Sequence, residues 1–358
     1  MIKRNPIPDQ LDAAVDAVLA DRTAGPAPTA ANLAELVRLA ADLRDLPQAA
    51  FKARLAGELA HGIGRRAPAA SNVGPVLLTG DDIGARLAEI AKGPTFEPYD
   101  LQSGLSGLPE LTMRFFAALD QCTIGVSRFS GDTHWERHPA GDELLHVLEG
   151  DMEVTTLTDD GPVQSQVPAG SVFVCPRGLW HRLRPLSPVS LFYATPGEGI
   201  EHSPADRPPR PRRAVRRRRG APQGPSATTL VAYDIQAALS STPPLTITST
   251  TTAAEADAAF RYLTTFNRCS VNVGHFSGRS PWERHRGGDE LLHILDGEVD
   301  ITVLSEGGPI HQTIGAGCVF VCPRGLWHRQ HSTHGVTALY ATPTPSDISF
   351  ADDPRREA

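Results

Sequence analysis

Two stretches of this chain place carboxylates and imidazoles at spacings that suit a metal ion. In the first, Glu136 and His138 stand two apart, Glu143 follows after four residues, and His181 comes later, behind a Pro-Arg-Gly turn. The second repeats the set as Glu283, His285, Glu290 and His328. In an extended strand residues i and i+2 share a face, so Glu136 and His138 project together while Trp135 and Arg137 face the other way. A turn through residues 139–142 then lets Glu143 enter the next strand, and Gly178 permits a reversal that can aim His181 at the same point. Two carboxylates crowded away from water repel each other and lose hydration, which a divalent cation offsets. Imidazole nitrogen beside carboxylate oxygen suits Fe, Mn, Zn, Ni or Cu, so one divalent ion per stretch is expected. The metal-free alternative has each glutamate hydrogen-bonded to a histidine.

Other recurring residues are read as structural. His146 and His293 come three residues after Glu143 and Glu290, so alternation turns them away from the cluster, toward packing or an interface. His134 is matched by Pro281, which removes it from a shared ligand set. Trp180 and Trp327 are read as packing beside the last ligand, and Cys175 and Cys322, among apolar neighbours, as inert thiols. The five cysteines are odd in number and widely spaced. That pattern fits buried reduced thiols better than a disulfide framework. The opening residues show no secretory h-region and no apolar run is long enough to span a bilayer, so a cytoplasmic protein without a membrane partner is expected.

The elements that must position these residues come in two copies. At an offset of 147 the chain aligns with itself without gaps from Arg114 to Pro196. Trp135 to Gly150 matches Trp282 to Gly297 at 12 of 16 positions, and Gly170 to Arg182 matches Gly317 to Arg329 at 12 of 13. Agreement of this kind marks duplication of a folding unit. Further upstream, Asp82-Ile83 resembles Asp234-Ile235 at an offset of 152. Within a copy, short Val-, Leu- and Phe-rich runs bounded by Gly, Pro or Asp read as strands of a sandwich or barrel. Residues 1–62 read differently: Leu33, Leu36, Val37, Ala40 and Leu43 recur at helical spacing, predicting a small N-terminal α-helical region. Residues 206–226 are a Pro/Arg-rich linker, with eight arginines between Arg207 and Arg219 and no acid among them. No aromatic residue interleaves the arginines, so a solvated tether is favoured over a nucleic-acid contact.

Both copies resemble the two motifs of the cupin superfamily: HxH, four residues, E, six residues, G, and later G, five residues, PxG, two residues, H. The first copy carries Glu136, His138, Glu143, Gly150, Gly170, Pro176, Gly178 and His181. The second carries Glu283, His285, Glu290, Gly297, Gly317, Pro323, Gly325 and His328. One position departs in both copies, where Glu136 and Glu283 replace the first histidine. The resemblance covers residues 76–205 and 227–348, and implies a mainly β bicupin of two tandem jelly-roll β-barrels. It further implies a metal-dependent enzyme of dioxygenase, isomerase or decarboxylase type acting on a small organic molecule, with Glu143 or Glu290 as general base. The other reading that it allows is a non-catalytic sensor of metal or metabolite, which signals to a protein partner or within a homo-oligomer through the N-terminal helices.

Overall fold

In a computed structural model of the chain, the described residues are 96–197, 199–204, 208 and 230–356. The helical head expected over 1–62, and nearly all of the linker expected over 206–226, lie outside them. What is described is mainly β and forms two jelly-roll units.

In the first unit a six-stranded sheet runs in the order Tyr233–Asp234, Ser171–Cys175, Glu143–Glu149, Val189–Pro196, Cys122–Phe129, Thr112–Leu119. Facing it are Glu201–Ser203, Trp135–Arg137, His181–Pro185, Asp151–Thr158 and Gly161–Pro168. The second unit repeats these pairings, but its two layers merge into one ten-stranded sheet. Strands Glu290–Ser305 and Trp327–Pro343 run through both layers, bending at register shifts between Ile294 and Asp296 and between Gly297 and Asp300. Bulges of this kind let a strand turn a corner without ending.

One edge strand in each unit is borrowed from the other. Tyr99–Asp100 pairs with Cys318 and Val319 of the second unit, and Tyr233–Asp234 pairs with Ser171 and Val172 of the first. Each is followed by a short helix, capped by Asp100 on the Ser103 N–H (2.5 Å) or Asp234 on the Ala237 N–H (2.9 Å). The likeness of Asp82-Ile83 to Asp234-Ile235 is thereby superseded. Asp82 lies outside the described residues, and the counterpart of Tyr233-Asp234-Ile235 is Tyr99-Asp100-Leu101, at an offset of 134. A capping Asp before an aliphatic residue is common to many short helices, so the sequence likeness held little information about register.

Alternation along the strands separates the barrel interiors from the core they share. In Glu143–Glu149, the odd positions Leu145 and Val147 point inside the barrel, with Phe173 and Tyr193. Leu144 points out, into a cluster shared with Leu291, Val271 and Ala341 of the second unit. Burial on both faces explains why this strand reads as a nearly continuous apolar run. His146 and His293, 4% and 3% exposed, meet across the shared seam with their Nδ1 atoms 3.2 Å apart, and the ring of Phe192 lies against His293. The interface role expected of this pair is the one the fold gives it.

Candidate metal centres

Strand register delivers the first two members of each cluster. Glu136 lies directly opposite His181 and Glu283 opposite His328, so these pairs face one point across neighbouring strands. The loop before each last histidine is pinned by an N–H of Gly178 on His138 O (3.0 Å) and of Gly325 on His285 O (2.9 Å). Both glycines sit at positive φ, +77° and +79°, where a side chain would be strained. Glu143 and Glu290 open the next strands, and their register sets them beside Cys175 and Cys322 at the inner end of the barrel.

The structure therefore brings together Glu136, His138, Glu143 and His181, and separately Glu283, His285, Glu290 and His328, with one ligand atom of each within 4.8 Å of all the others in its set. In the first set Glu143 Oε2 lies 3.1 Å from His181 Nε2 and 3.4 Å from His138 Nε2, and Glu136 Oε1 lies 3.5 Å from His181 Nε2. In the second, Glu290 Oε2 lies 3.0 Å from His328 Nε2 and 3.4 Å from His285 Nε2, and Glu283 Oε1 lies 3.7 Å from His328 Nε2. The histidines and Glu143 and Glu290 are buried, while the side chains of Glu136 and Glu283 are each 21% exposed. Each centre is thus enclosed on three sides and open on the fourth.

Burial works against the charge on Glu143, yet His138 and His181 outweigh it and hold the carboxyl well below its usual range. Glu290 is lowered in the same way, against burial, by His285 and His328. Glu283 is raised, by burial and then by the nearby Glu290 charge. Burial opposes protonation of His328, but Glu290 and Glu283 prevail and raise it. In the second centre the carboxylates thus make a negative field that draws positive charge onto a buried imidazole.

A second ring of contacts aims these groups. The Nδ1 atoms of His181 and His328 lie 3.3 Å from the carbonyls of Leu179 and Leu326, and an Nδ1–H bond there turns each Nε2 lone pair toward the cluster. Thr195 donates to Glu143 Oε1 at 2.5 Å, and Thr342 to Glu290 Oε1 at 2.6 Å. Sequence reasoning passed over these threonines, although both stand in an Ala-Thr-Pro triplet at the 147 offset. Arg137 and Arg284 point away, as alternation requires. They pair with Glu201 and Asp347 and lie over the rings of Trp180 and Trp327, which gives those indoles a packing role. Burial pushes the Cys175 thiol up to about 12 and raises Cys322 well above its ordinary value, so neither is a ready nucleophile.

Whether these residues fit a metal is tested by their unspent hydrogen-bonding capacity. Nδ1 of His138 is buried with no hydrogen-bond partner, and Nε2 of His138 and of His285 have only the long 3.4 Å approach of Glu143 and Glu290, without hydrogen-bond geometry. A buried polar atom left unpaired costs about 1–3 kcal/mol, and a cation receiving the Nε2 lone pairs removes that penalty. Two imidazoles with two carboxylates form a donor set suited to a divalent transition metal, so the residues fit one ion in each barrel.

A cavity of about 80 Å³ adjoins the first cluster, with Glu136 and Glu143 in its wall. Phe115, Leu145, Leu183 and Tyr193 make the apolar part, and His134 and His202 the polar part. His134 Nδ1 is buried without a partner, and His202 lies opposite Glu136 in the strand register. His134 joins no ligand cluster. His202 was not singled out from the sequence, because it lies beyond Pro196, where the gapless self-alignment stops.

A doubled jelly roll with a four-residue His/Glu cluster in each half defines a class of metal-binding barrel. Residues 127–194 and 271–340 each match the family model of the cupin domain, so the chain carries two cupin domains. A germin-like protein 3-8 from Oryza sativa subsp. japonica is 32% identical over 81 residues, 21% of this chain and 36% of that protein. The chain thus spans little more than a third of that curated relative. Among solved structures, a salicylate 1,2-dioxygenase from Pseudaminobacter salicylatoxidans superposes with a TM-score of 0.52 at 11% identity, covering 72% of this chain and 89% of that one. An oxalate decarboxylase mutant from Bacillus subtilis aligns at a TM-score of 0.43 and 12% identity, over 72% and 80% of the two chains. Among the described residues no helix is long and apolar enough to cross a membrane.

Proposed function

We propose that the protein is a metal-dependent enzyme acting on a small organic molecule, and that the first barrel holds the substrate. The observation that carries this reading is the cavity beside the first cluster, where ligand carboxylates, two extra histidines and an apolar wall converge. A divalent ion at such a centre supplies Lewis acidity to a substrate oxygen. The apolar wall of Phe115, Leu145 and Leu183 fits the carbon body of the molecule and excludes water. His134, with its unpaired Nδ1, and His202 suit a polar substituent. Glu143 and Glu290 are the proposed proton acceptors as well as ligands.

Metal analysis of protein purified without an affinity tag, followed by turnover assays, tests this reading. About two equivalents of divalent metal per chain are expected, one for each four-ligand set. Salicylate with oxygen, tried with each divalent metal in turn, is the first substrate to test, taken from the salicylate 1,2-dioxygenase that shares the fold. Metal far below one equivalent after loading overturns the reading. A small molecule that binds only to metal-loaded protein yet is recovered unchanged moves it to a sensor or carrier.

A further inference from the structure

The loops that lead to the ligand strands meet along the pseudo-twofold axis between the barrels and lock there reciprocally. Asp142 N–H donates to Asn267 Oδ1 (2.8 Å) and Asn267 N–H to Asp142 Oδ2 (2.7 Å). On the other side of the axis, Asp289 N–H donates to Asp120 Oδ1 (3.0 Å) and Asp120 N–H to Asp289 Oδ2 (2.8 Å). The approach requires glycine: a Cβ on Gly141 would stand 2.7 Å from Asn267 Oδ1, and one on Gly288 2.3 Å from Asp120 Oδ2. A groove of about 610 Å³ runs over this seam, apart from the cavity beside the first cluster. Its size lies within the range of small-molecule sites.

Three arginines line it, Arg177, Arg268 and Arg324. Arg177 and Arg324 are related by the axis and held alike. Their N–H groups donate to Asp142 Oδ1 (2.8 Å) and Asp289 Oδ1 (2.7 Å), and their Nε atoms to the carbonyls of Pro139 (2.6 Å) and Arg286 (2.9 Å). That fixes the base of each side chain and leaves its terminal Nη groups uncommitted. Arg268 makes no side-chain hydrogen bond or ion pair, and its place in the first barrel is taken by Gln121. Several other described arginines form ion pairs, as Arg137 does with Glu201, Arg284 with Asp347 and Arg355 with Asp353. The trio in the groove makes no such ion pair, although Arg324 and Arg268 feel the Asp120 carboxylate, in a chain whose net charge is -7. Of the two carboxylates lining the groove, Asp142 accepts backbone N–H groups at both oxygens and Asp120 at one. Their negative charge is therefore partly satisfied, while that of a ligand would not be.

We propose that this groove binds a small molecule bearing two or more carboxylate or phosphate groups, bridging Arg177 of one barrel and Arg324 of the other. Guanidinium matches both anions through paired N–H donors, and two forks at symmetric positions ask for two anionic groups. Arg268, without a symmetric partner, gives the bound molecule a direction. The site stands whatever reaction the metal centres perform.

Titration calorimetry on the full metal-loaded chain at low ionic strength tests it, with tricarballylate as the carboxylate probe and 2,3-bisphosphoglycerate as the phosphate probe. Saturable binding of at least one probe is expected, with affinity falling as salt rises. Arg268→Gln removes a side chain that makes no hydrogen bond or ion pair and acts on Asp120 through its charge alone; it leaves folding unchanged but weakens that probe about tenfold. The Arg177→Gln/Arg324→Gln double variant weakens it about a hundredfold. Arg286→Gln, which removes a guanidinium paired with Asp347 outside the groove, leaves affinity as it was. Heats that never saturate with either probe overturn the proposal. So does affinity indifferent to Arg268→Gln, or a loss no larger than that of Arg286→Gln, which would mark a diffuse field rather than a site.

Discussion

The two barrels hold the same four ligand residue types at nearly the same distances, and differ in what stands behind them. In the first, the inner wall beside Glu136 is Leu183, with His134, Ile200 and His202 near the opening. In the second, the 147 offset puts Gln330 at the place of Leu183 and Pro281 at that of His134, while strand register puts Ile348 opposite Glu283 as His202 is opposite Glu136. Gln330 is buried, accepts from the Tyr340 hydroxyl (3.4 Å) and bonds Glu283, so a polar side chain occupies space that is apolar in the first barrel. Ser346 reaches His285 Nδ1 at 3.0 Å, whereas His138 Nδ1 has no partner. Phe276 and Tyr340 match Phe129 and Tyr193 of the first barrel, but the Phe260 ring packed on them stands where the first has Met113. A ligand set answers to the ion, and a wall to whatever else enters. Identical ligand sets with divergent walls accord with the proposed reading, in which both halves would hold an ion and the first alone a substrate.

The test with the largest expected effect sets one barrel against the other. His138→Ala and His285→Ala should each remove about one equivalent of metal, read by elemental analysis. Turnover should fall by about a thousandfold in the first variant, against less than about tenfold in the second. Equal losses of activity would break the asymmetry.

The seam comes next. Burial lowers His146 to about 4 and, with the His146 charge, holds His293 well below its ordinary value, so the pair is neutral when folded. Between the unfolded value near 6.5 and about 4 the unfolded chain binds more protons, so stability falls as pH falls through that window. His146 alone accounts for about 3 kcal/mol of this loss. A His146→Leu/His293→Leu double variant should be close to wild type at pH 7 and lose less stability on acidification, measured by urea denaturation at a series of pH values. An unchanged acid slope would mean that the histidines do not govern the seam.

Smaller effects refine the shared part. Thr195→Val and Thr342→Val each free one glutamate oxygen and should weaken metal binding at their own barrel by about tenfold, seen in competition with a chelator. The least effect concerns the lock: Asp120 faces Asp289, whereas its counterpart Asn267 faces Asp142. Burial and the Asp289 charge raise Asp120, so its ionised form weakens the folded state as pH climbs past its native value. Asp120→Asn should raise the neutral-pH melting temperature through a gain below about 1 kcal/mol.

Much of this was legible before any coordinates, for identifiable reasons. The 147 offset exposed two copies because their strands had to keep both the ligands and the doubly buried runs such as Leu144 to Leu148. Alternation alone set His146 outside the cluster. That it meets His293 was not legible, since contact across a dyad depends on how two units dock. Arg177 and Arg324 recur as visibly as the ligands, but only the docked loops put them in one groove with Arg268. The exchange of Tyr99–Asp100 and Tyr233–Asp234 was missed because such short strands carry almost no periodicity, and their partners lie in the other copy.

That exchange bears on what a half of the chain can do alone. Leu101 N–H bonds Gly317 O (3.0 Å) and Ile235 N–H bonds Gly170 O (3.1 Å), so each half finishes a sheet belonging to its twin. A severed half would keep its own lending segment while its own sheet stayed a raw, unpaired margin. Two such fragments of one kind carry everything needed to clasp each other, and so a separately made half is a homodimer in waiting rather than a free-standing module.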